Sequence, residues 1–172
     1  MLRAIGAFLV FLAAAGMGCQ ESWKLSEHIQ ALEGFLQVII CLKGEIRYGG
    51  SSLSDAFRET AMHCSEGYAV FLKAVSEKME KRQAEDPGRI IQQCAKKHLK
   101  EKALSAEEQG RIAQLGEWLG YLDREMQLRQ LSLYESEFER MLQTAKEAAP
   151  AKKKLYHSLG VFGGAMLAIL FW

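Results

Sequence analysis

The charges avoid both ends of this chain, and that constrains its fold more than any other feature. Within residues 1–19 the only Asp, Glu, Lys or Arg is Arg3, and 15 of the 19 residues are hydrophobic. Within 155–172 there is no such charge, and 13 of the 18 are hydrophobic. As helices these stretches extend roughly 28 and 27 Å, against a bilayer hydrocarbon core of about 30 Å. Both are slightly short for transmembrane helices yet workable, because Arg3 can snorkel and the bilayer can thin. Trp23, Tyr156 and Trp172 stand where interfacial aromatics belong. The competing reading of the first stretch is a cleaved signal peptide, with Arg3 as its basic end and Gly18-Cys19 hinting at a lipid-anchored, exported protein. The matching apolar C-terminus makes two spans the simpler expectation.

Two spans leave residues 20–154 as one intervening domain. It holds 21 basic residues (all but Arg3) and all 21 acidic ones, so its net charge is zero. A mean hydropathy of -0.09 for the whole chain therefore averages two unlike kinds of segment. A neutral middle domain argues against nucleic acid as a partner, since neutralising phosphates takes a basic patch. Lys24, Lys146, Lys152, Lys153 and Lys154 flank the domain's membrane ends, whereas the other side offers Arg3. The positive-inside rule then places the domain in the cytoplasm. Cys19, Cys41, Cys64 and Cys94 have no paired spacing, which fits a reducing compartment.

The domain reads as helices throughout. Leu25, Leu32, Ile39 and Ile46 recur every seven residues, with Ile29 and Leu36 four after the first two, an a/d seam. Lys43 falls on the next d position and weakens the seam distally. Tyr48-Gly49-Gly50 ends this helix, the glycines being suited to left-handed turn conformations. Ser52 or Ser54 caps a second helix carrying Leu53, Ala56, Phe57 and Ala61. A third follows Gly67, with Val70, Phe71, Ala74, Val75 and Met79 on one face. Asp86-Pro87-Gly88 breaks the chain and opens a fourth with Ile90, Ile91, Cys94 and Leu99. Ser105-Ala106-Glu107-Glu108 is a capping box for a fifth, with Ile112, Leu115 and Leu119 inward. Asp123 caps a long last helix through Met126, Leu131, Leu133, Phe138 and Leu142, and Pro150 with the lysines marks entry into the second span.

The expected fold class is all-α: a cytoplasmic bundle of about six helices (20–154) flanked by two terminal transmembrane helices (1–19 and 155–172). Core packing accounts for the apolar stripes. The histidines lie in separate segments, and Glu59, His63, Cys64 and Glu66 on one short stretch are a thin basis for a metal site without a second ligand-bearing helix. No nucleophile elbow and no Gly-rich phosphate loop is present. The expectation is a non-enzyme with no cofactor and no metal. Glycines say more. Ala14 and Gly18 in the first span, and Gly160 and Gly164 in the second, are four apart, a spacing that lets membrane helices approach closely. Gly116 and Gly120 face one way and each costs helix stability of about 1 kcal/mol relative to Ala, so a neighbouring helix or a partner protein needs backbone proximity there.

Met1-Leu2-Arg3-Ala4-Ile5-Gly6-Ala7, Glu45-Ile46-Arg47-Tyr48-Gly49 before Leu53-Ser54-Asp55-Ala56, Leu115-Gly116-Glu117-Trp118-Leu119-Gly120 leading to Asp123-Arg124-Glu125-Met126-Gln127, and Ser158-Leu159-Gly160 form an ordered set along the chain. In that set and order the sequence resembles the stage III sporulation protein AB family. Gly163, Gly164 and the Gly49-Gly50 pair depart from its pattern. The resemblance implies a membrane platform component of a sporulation-specific, secretion-like complex linking mother cell and forespore, similar to inner-membrane platform proteins of type II secretion and type IV pilus systems. It implies a place in the mother-cell membrane facing the forespore. The implied partners are a companion cytoplasmic ATPase, stage III sporulation protein AA, and other membrane proteins of the complex, with a homo-oligomer a further option. For partner contact the sequence nominates the turn at Tyr48, Gly49 and Gly50 and the polar stripe of Asp123, Glu125 and Gln127, residues that turn and cap chemistry explains equally well.

Overall fold

In a computed structural model of the chain, residues 2–49, 52–81, 85–100, 102–119 and 123–170 are described, with side-chain surroundings for those of them within 20–155 and for Ser158 and Met166. Among the described residues there are six helices and no strand: α1 (Leu2–Tyr48), α2 (Leu53–Met62), α3 (Glu66–Lys81), α4 (Pro87–His98), α5 (Ala106–Leu119) and α6 (Arg124–Leu170). The chain divides into two compact units, one of 30–142 and one of 1–29 with 143–172.

The first and last helices each contribute to both units. Pro150 lies inside α6, which continues past it. Among the described residues no helix is long and apolar enough to cross a membrane. Within the charge-poor stretches 1–19 and 155–172, residues 2–19 belong to α1 and 155–170 to α6, but their side chains, apart from a few between 155 and 166, lie outside the described residues. The same holds for the packing expectation at Ala14, Gly18, Gly160 and Gly164.

Local sequence chemistry sets the ends of the middle helices. Ser52 caps α2, its Oγ accepting from the Asp55 N–H at 3.3 Å. Asp86 caps α4 by accepting from Gly88 N–H at 2.9 Å, with Pro87 in the first turn, where its missing N–H costs nothing. At α5 the capping box closes both ways: the Glu108 N–H donates to Ser105 Oγ at 3.2 Å, and the Ser105 N–H donates to Glu108 Oε2 at 2.7 Å. Within the 30–142 unit α2 packs on α3, α3 on α4, and α4 on α5.

The core of that unit is held by an aromatic cluster from three helices. Phe35 of α1 stands 4.8 Å, centroid to centroid, from Phe138 of α6 and 6.0 Å from Tyr68 of α3. All three are buried, together with Leu32, Val38, Ile39 and Leu42 of α1 and Leu131 and Tyr134 of α6. Contacts at Phe35–Phe138 and, further along α1 but earlier in α6, at Lys43–Glu135 run the two helices antiparallel.

The expected seam of α1 is corrected in register. Leu32, Ile39 and Ile46 are buried as the a positions, but their partners are Phe35 and Leu42, three residues on, while Leu36 is half-buried. Counting four instead of three put Lys43 in the seam. It sits on the next position round the helix, beside the core, and its ammonium pairs with the Glu135 carboxylate of α6. An ion pair flanking an apolar seam is how such helices fix register. Both side chains are 20% exposed, so losing one strands a charge in a poorly hydrated place. Lys43→Leu alone is expected to cost about 1–3 kcal/mol in denaturant unfolding, and Lys43→Leu with Glu135→Leu to recover most of that loss.

Three further side chains differ from expectation for the same geometric reason. Val70, Met126 and Leu133 are exposed, at 50%, 51% and 60%. The inward face of α3 is instead Tyr68, Phe71, Leu72 and Val75, and Val70 falls on its opposite side at about 100° per residue.

Candidate functional site

The helix that starts the 30–142 unit ends at Tyr48, and the chain comes back to that place twice. The Arg124 side chain, in the first turn of α6, donates from Nε to the Ile46 carbonyl at 2.7 Å and from Nη2 to the Arg47 carbonyl. These are carbonyls that the end of a helix leaves without intrahelical partners, and a guanidinium supplies both the donors and the favourable charge. Gln127, one turn further along α6, donates from Nε2 to the Leu119 carbonyl at the end of α5, at 2.6 Å. The C-terminal ends of α1 and α5 and the N-terminal end of α6 are thereby fastened together.

Both stretches nominated from sequence meet here. Tyr48 is 83% exposed, more than any other large hydrophobic side chain among the described residues of this end. Gly49 closes the last turn, its N–H donating to the Glu45 carbonyl at 2.8 Å. A Cβ at Gly49 would stand 2.6 Å from that same oxygen, so glycine is required by close approach and not by a left-handed φ, a correction to the sequence expectation. Gly50 lies outside the described residues. Asp123 caps α6, its Oδ1 accepting from the Met126 N–H at 2.8 Å. Gln127 spends its side chain on α5, while Glu125 projects from the first turn of α6 and is exposed.

For partner contact the sequence did not nominate Arg124, Trp118 or Met126. Trp118, in the last turn of α5, is 48% exposed, and Met126, in the first turn of α6, is 51% exposed. With Tyr48 they place three large apolar side chains at the ends of three helices that the Arg124 and Gln127 bonds hold together. Arg124 could have been suspected from the helix-end rule alone, as a basic residue free to reach another helix's C-terminus. The pairing of that end with α1 needed the fold.

Across the turn, Ser52 and Arg58 polarise the start of α2. The Ser52 hydroxyl donates to Asp55 Oδ2 at 2.7 Å, and Arg58 pairs with Asp55 and, at 2.8 Å, with Glu80 of α3. The Ser52 hydrogen bond foremost, then the Arg58 charge, hold the Asp55 carboxyl below its ordinary range. Elsewhere burial raises the acid groups: the Tyr134 phenol is pushed up to about 12, chiefly by desolvation and then by Glu137. No group of three or more His, Cys, Asp or Glu among the described residues could hold a metal ion, the Glu59, His63, Cys64 and Glu66 stretch included.

A family profile described as Stage III sporulation protein AB matches residues 3–172. The chain belongs to this sporulation protein family. It is 25% identical over 171 residues to Stage III sporulation protein AB of Bacillus subtilis (strain 168), covering 99% of each chain. A solved structure of Stage III sporulation protein AB superposes with a TM-score of 0.65 at 23% identity, over 72% of this chain and 97% of that one. Over the 72% of this chain that it covers, the solved structure shares the chain's helical fold. Gly163 and Gly164, set down above as departures from the family pattern, do not keep the profile from running through them.

Proposed function

We propose that the chain is a non-enzymatic membrane platform component of the sporulation-specific, secretion-like complex that links mother cell and forespore. Residues 1–19 and 155–172 are its spans, in the mother-cell membrane facing the forespore, and the helical unit between them lies in the cytoplasm. That unit docks the companion ATPase, stage III sporulation protein AA, through the helix ends that carry Tyr48, Trp118 and Met126. One observation supports the docking reading above others: Arg124 and Gln127 spend their side chains on joining helix ends, and those ends carry exposed Tyr48, Trp118 and Met126, with exposed Glu117, Asp123 and Glu125 beside them in the sequence. Aromatic side chains on rigid elements are efficient interface anchors, because little conformational freedom remains to be lost. The placement in the membrane is supported by the two apolar ends, whose single charged residue is Arg3, and by the lysines that flank one side of them.

Inverted and right-side-out membrane vesicles carrying the full chain test both halves together. Purified ATPase is expected to be retained by inverted vesicles, which expose the cytoplasmic face, and not by right-side-out ones. Tyr48→Glu is expected to reduce that retention by about tenfold or more, as loss of a central anchor does, without changing the amount of chain in the vesicles. Equal retention by both orientations removes the topology, and unchanged retention by Tyr48→Glu and by deletion of 48–52 removes the docking surface.

A further inference from the structure

Positive charge is concentrated at one end of the chain's polar middle. Lys152, Lys153 and Lys154 are consecutive in α6, while residues 20–151 hold 18 basic and 21 acidic residues, a balance of −3. From residue 148 to 172 there is no Asp or Glu, so no carboxylate stands three or four positions away, where a helix would pair it with one of these lysines. The unit of 1–29 with 143–172 contains three acids, Glu21, Glu27 and Glu147. Glu21 is taken by Lys24 at 2.5 Å, and Glu147 accepts from Gln143 Nε2 at 2.8 Å. Among the described residues no ion pair engages Lys152, Lys153 or Lys154. Lys152 and Lys154 are exposed, and Lys153, four after buried Ala149, is half-buried. Apolar side chains adjoin these cations. Leu155, the next residue, is 59% exposed, and in the same unit Trp23, one after buried Ser22 on α1, is 74% exposed. A molecule that carries hydrocarbon beside an anionic phosphate meets both kinds of surface, whereas a free phosphate meets one.

We propose that Lys152, Lys153 and Lys154 form a binding site for the phosphates of anionic phospholipid headgroups. The site rests on the membrane placement proposed above, in which 155–172 is the second span and the lysines stand at its cytoplasmic edge. Successive helical residues point about 100° apart, so Lys152 and Lys154 lie to either side of Lys153 and the three ammonium groups fan around α6. They are served by several headgroups of a leaflet better than by one rigid ligand. Each ammonium is a point charge with three donors and no acceptor, on a stem that can lie along apolar surface while the head reaches the phosphates. Like charges on successive residues repel, and headgroup anions offset that repulsion where no carboxylate of the chain does. Phosphatidylcholine carries the same phosphate but cancels it with its own ammonium, so the site discriminates by net charge and not by shape. Arginine therefore serves as well as lysine here, and glutamine does not.

The full chain, held on an affinity resin in detergent, is equilibrated with equimolar phosphatidylglycerol and phosphatidylcholine of matched acyl chains and washed, and its bound lipid is quantified by mass spectrometry. Phosphatidylglycerol is expected in about tenfold excess, since each lysine near an anionic headgroup layer contributes severalfold. Lys152→Gln, Lys153→Gln and Lys154→Gln together are expected to bring the ratio close to one, and the three corresponding arginine substitutions to keep the excess. Glutamine at exposed Lys96, Lys97 and Lys100 of the 30–142 unit is expected to leave it unchanged. Inorganic phosphate in the wash is expected to leave the lipid in place. The site is overturned by a ratio near one in the unsubstituted chain, or by an equal fall in both glutamine triples. It is overturned too if the 152–154 glutamine triple keeps the excess, which leaves these lysines to orientation alone, or if inorganic phosphate strips the phosphatidylglycerol, which makes the site one for a free oxyanion. Alkaline carbonate treatment of membranes carrying the chain separates the two readings. Release by carbonate overturns the membrane placement and the site with it, whereas retention together with a ratio near one overturns the site alone. Unchanged helicity in both glutamine triples ties the readout to charge.

Discussion

Replacing Tyr68 with alanine is expected to cost about 3–5 kcal/mol in denaturant unfolding of the full chain in detergent, enough to remove a large share of the ~5–15 kcal/mol that holds a domain together. Tyr68 is 1% exposed and sits where three interactions coincide. Its ring faces Phe35, which in turn touches Phe138, so a cavity at Tyr68 loosens a cluster that ties α1, α3 and α6. The Lys102 ammonium lies 5.1 Å over its centroid, a cation–π contact that a methyl group cannot replace. Its hydroxyl bonds the Ala31 carbonyl at 2.7 Å. Tyr68→Phe separates these contributions. It keeps the ring and loses one hydrogen bond, to a carbonyl inside a helix, so its cost is expected at about 0.5–1.5 kcal/mol.

The same pair of variants makes a pH prediction. Burial, and secondarily Glu108, raises the Tyr68 phenol above its ordinary value of 10.0. In the unfolded chain the group ionises near that ordinary value; in the folded chain it stays protonated to higher pH. Above about pH 10 the unfolded state therefore binds fewer protons than the folded one, and stability falls as pH rises. The contribution is fully present below pH 10 and is lost on the way up to the folded value. Tyr68→Phe is expected to flatten that alkaline decline, and an unchanged slope would show that the phenol is not the buried acid responsible.

How much of this was legible beforehand depends on how far apart the cooperating residues lie. Asp86-Pro87-Gly88 and Ser105 with Glu108 were readable, because a cap and its partner are two or three residues apart and the chemistry is local. The inward residues of α4 and α5 were readable too, since short helices with one crowded neighbour leave little choice of face. In α1 the heptad spacing gave the right a positions but could not say whether their partners stand three or four residues on. Phe35 answers that only through its contacts with Tyr68 and Phe138. Met126 and Leu133 were read as part of a helical apolar stripe, and the burial of Leu131, Tyr134 and Phe138 shows which way α6 turns. At the candidate site the exposed Tyr48 was nominated from its turn, while Arg124 was missed. Its partners, the Ile46 and Arg47 carbonyls, are backbone groups more than seventy positions away.

Gly116→Val is the second large effect, expected to destabilise by about 2–4 kcal/mol or to prevent folding of the 30–142 unit. From sequence, Gly116 was a cost in search of a reason, either a neighbouring helix or a partner protein. The neighbouring helix supplies it. A Cβ on Gly116 would stand 2.7 Å from Ile91 Cβ, 3.0 Å from Ile91 Cγ2 and 3.1 Å from the Gly88 carbonyl oxygen. A Cβ on Gly88 would stand 3.1 Å from both Glu117 Cα and the Gly116 carbonyl oxygen. The two glycines thus face each other where α4 crosses α5, and what they approach is backbone and the stem of a β-branched residue, neither of which can swing aside. Gly120, paired with Gly116 in the sequence reading, lies outside the described residues. Alanine at 116 gains helix propensity of about 1 kcal/mol but meets Ile91 Cβ below any ordinary contact distance, so Gly116→Ala is expected to be destabilising on balance. Gly110, on the same helix and exposed, has nothing within 4 Å of its Cβ position. Gly110→Ala is therefore expected to gain about 0.5–1 kcal/mol. Opposite signs at 110 and 116, read as shifts in the denaturant midpoint at constant slope, separate close helix approach from intrinsic propensity; a gain at both positions would mean that α4 and α5 have room to part.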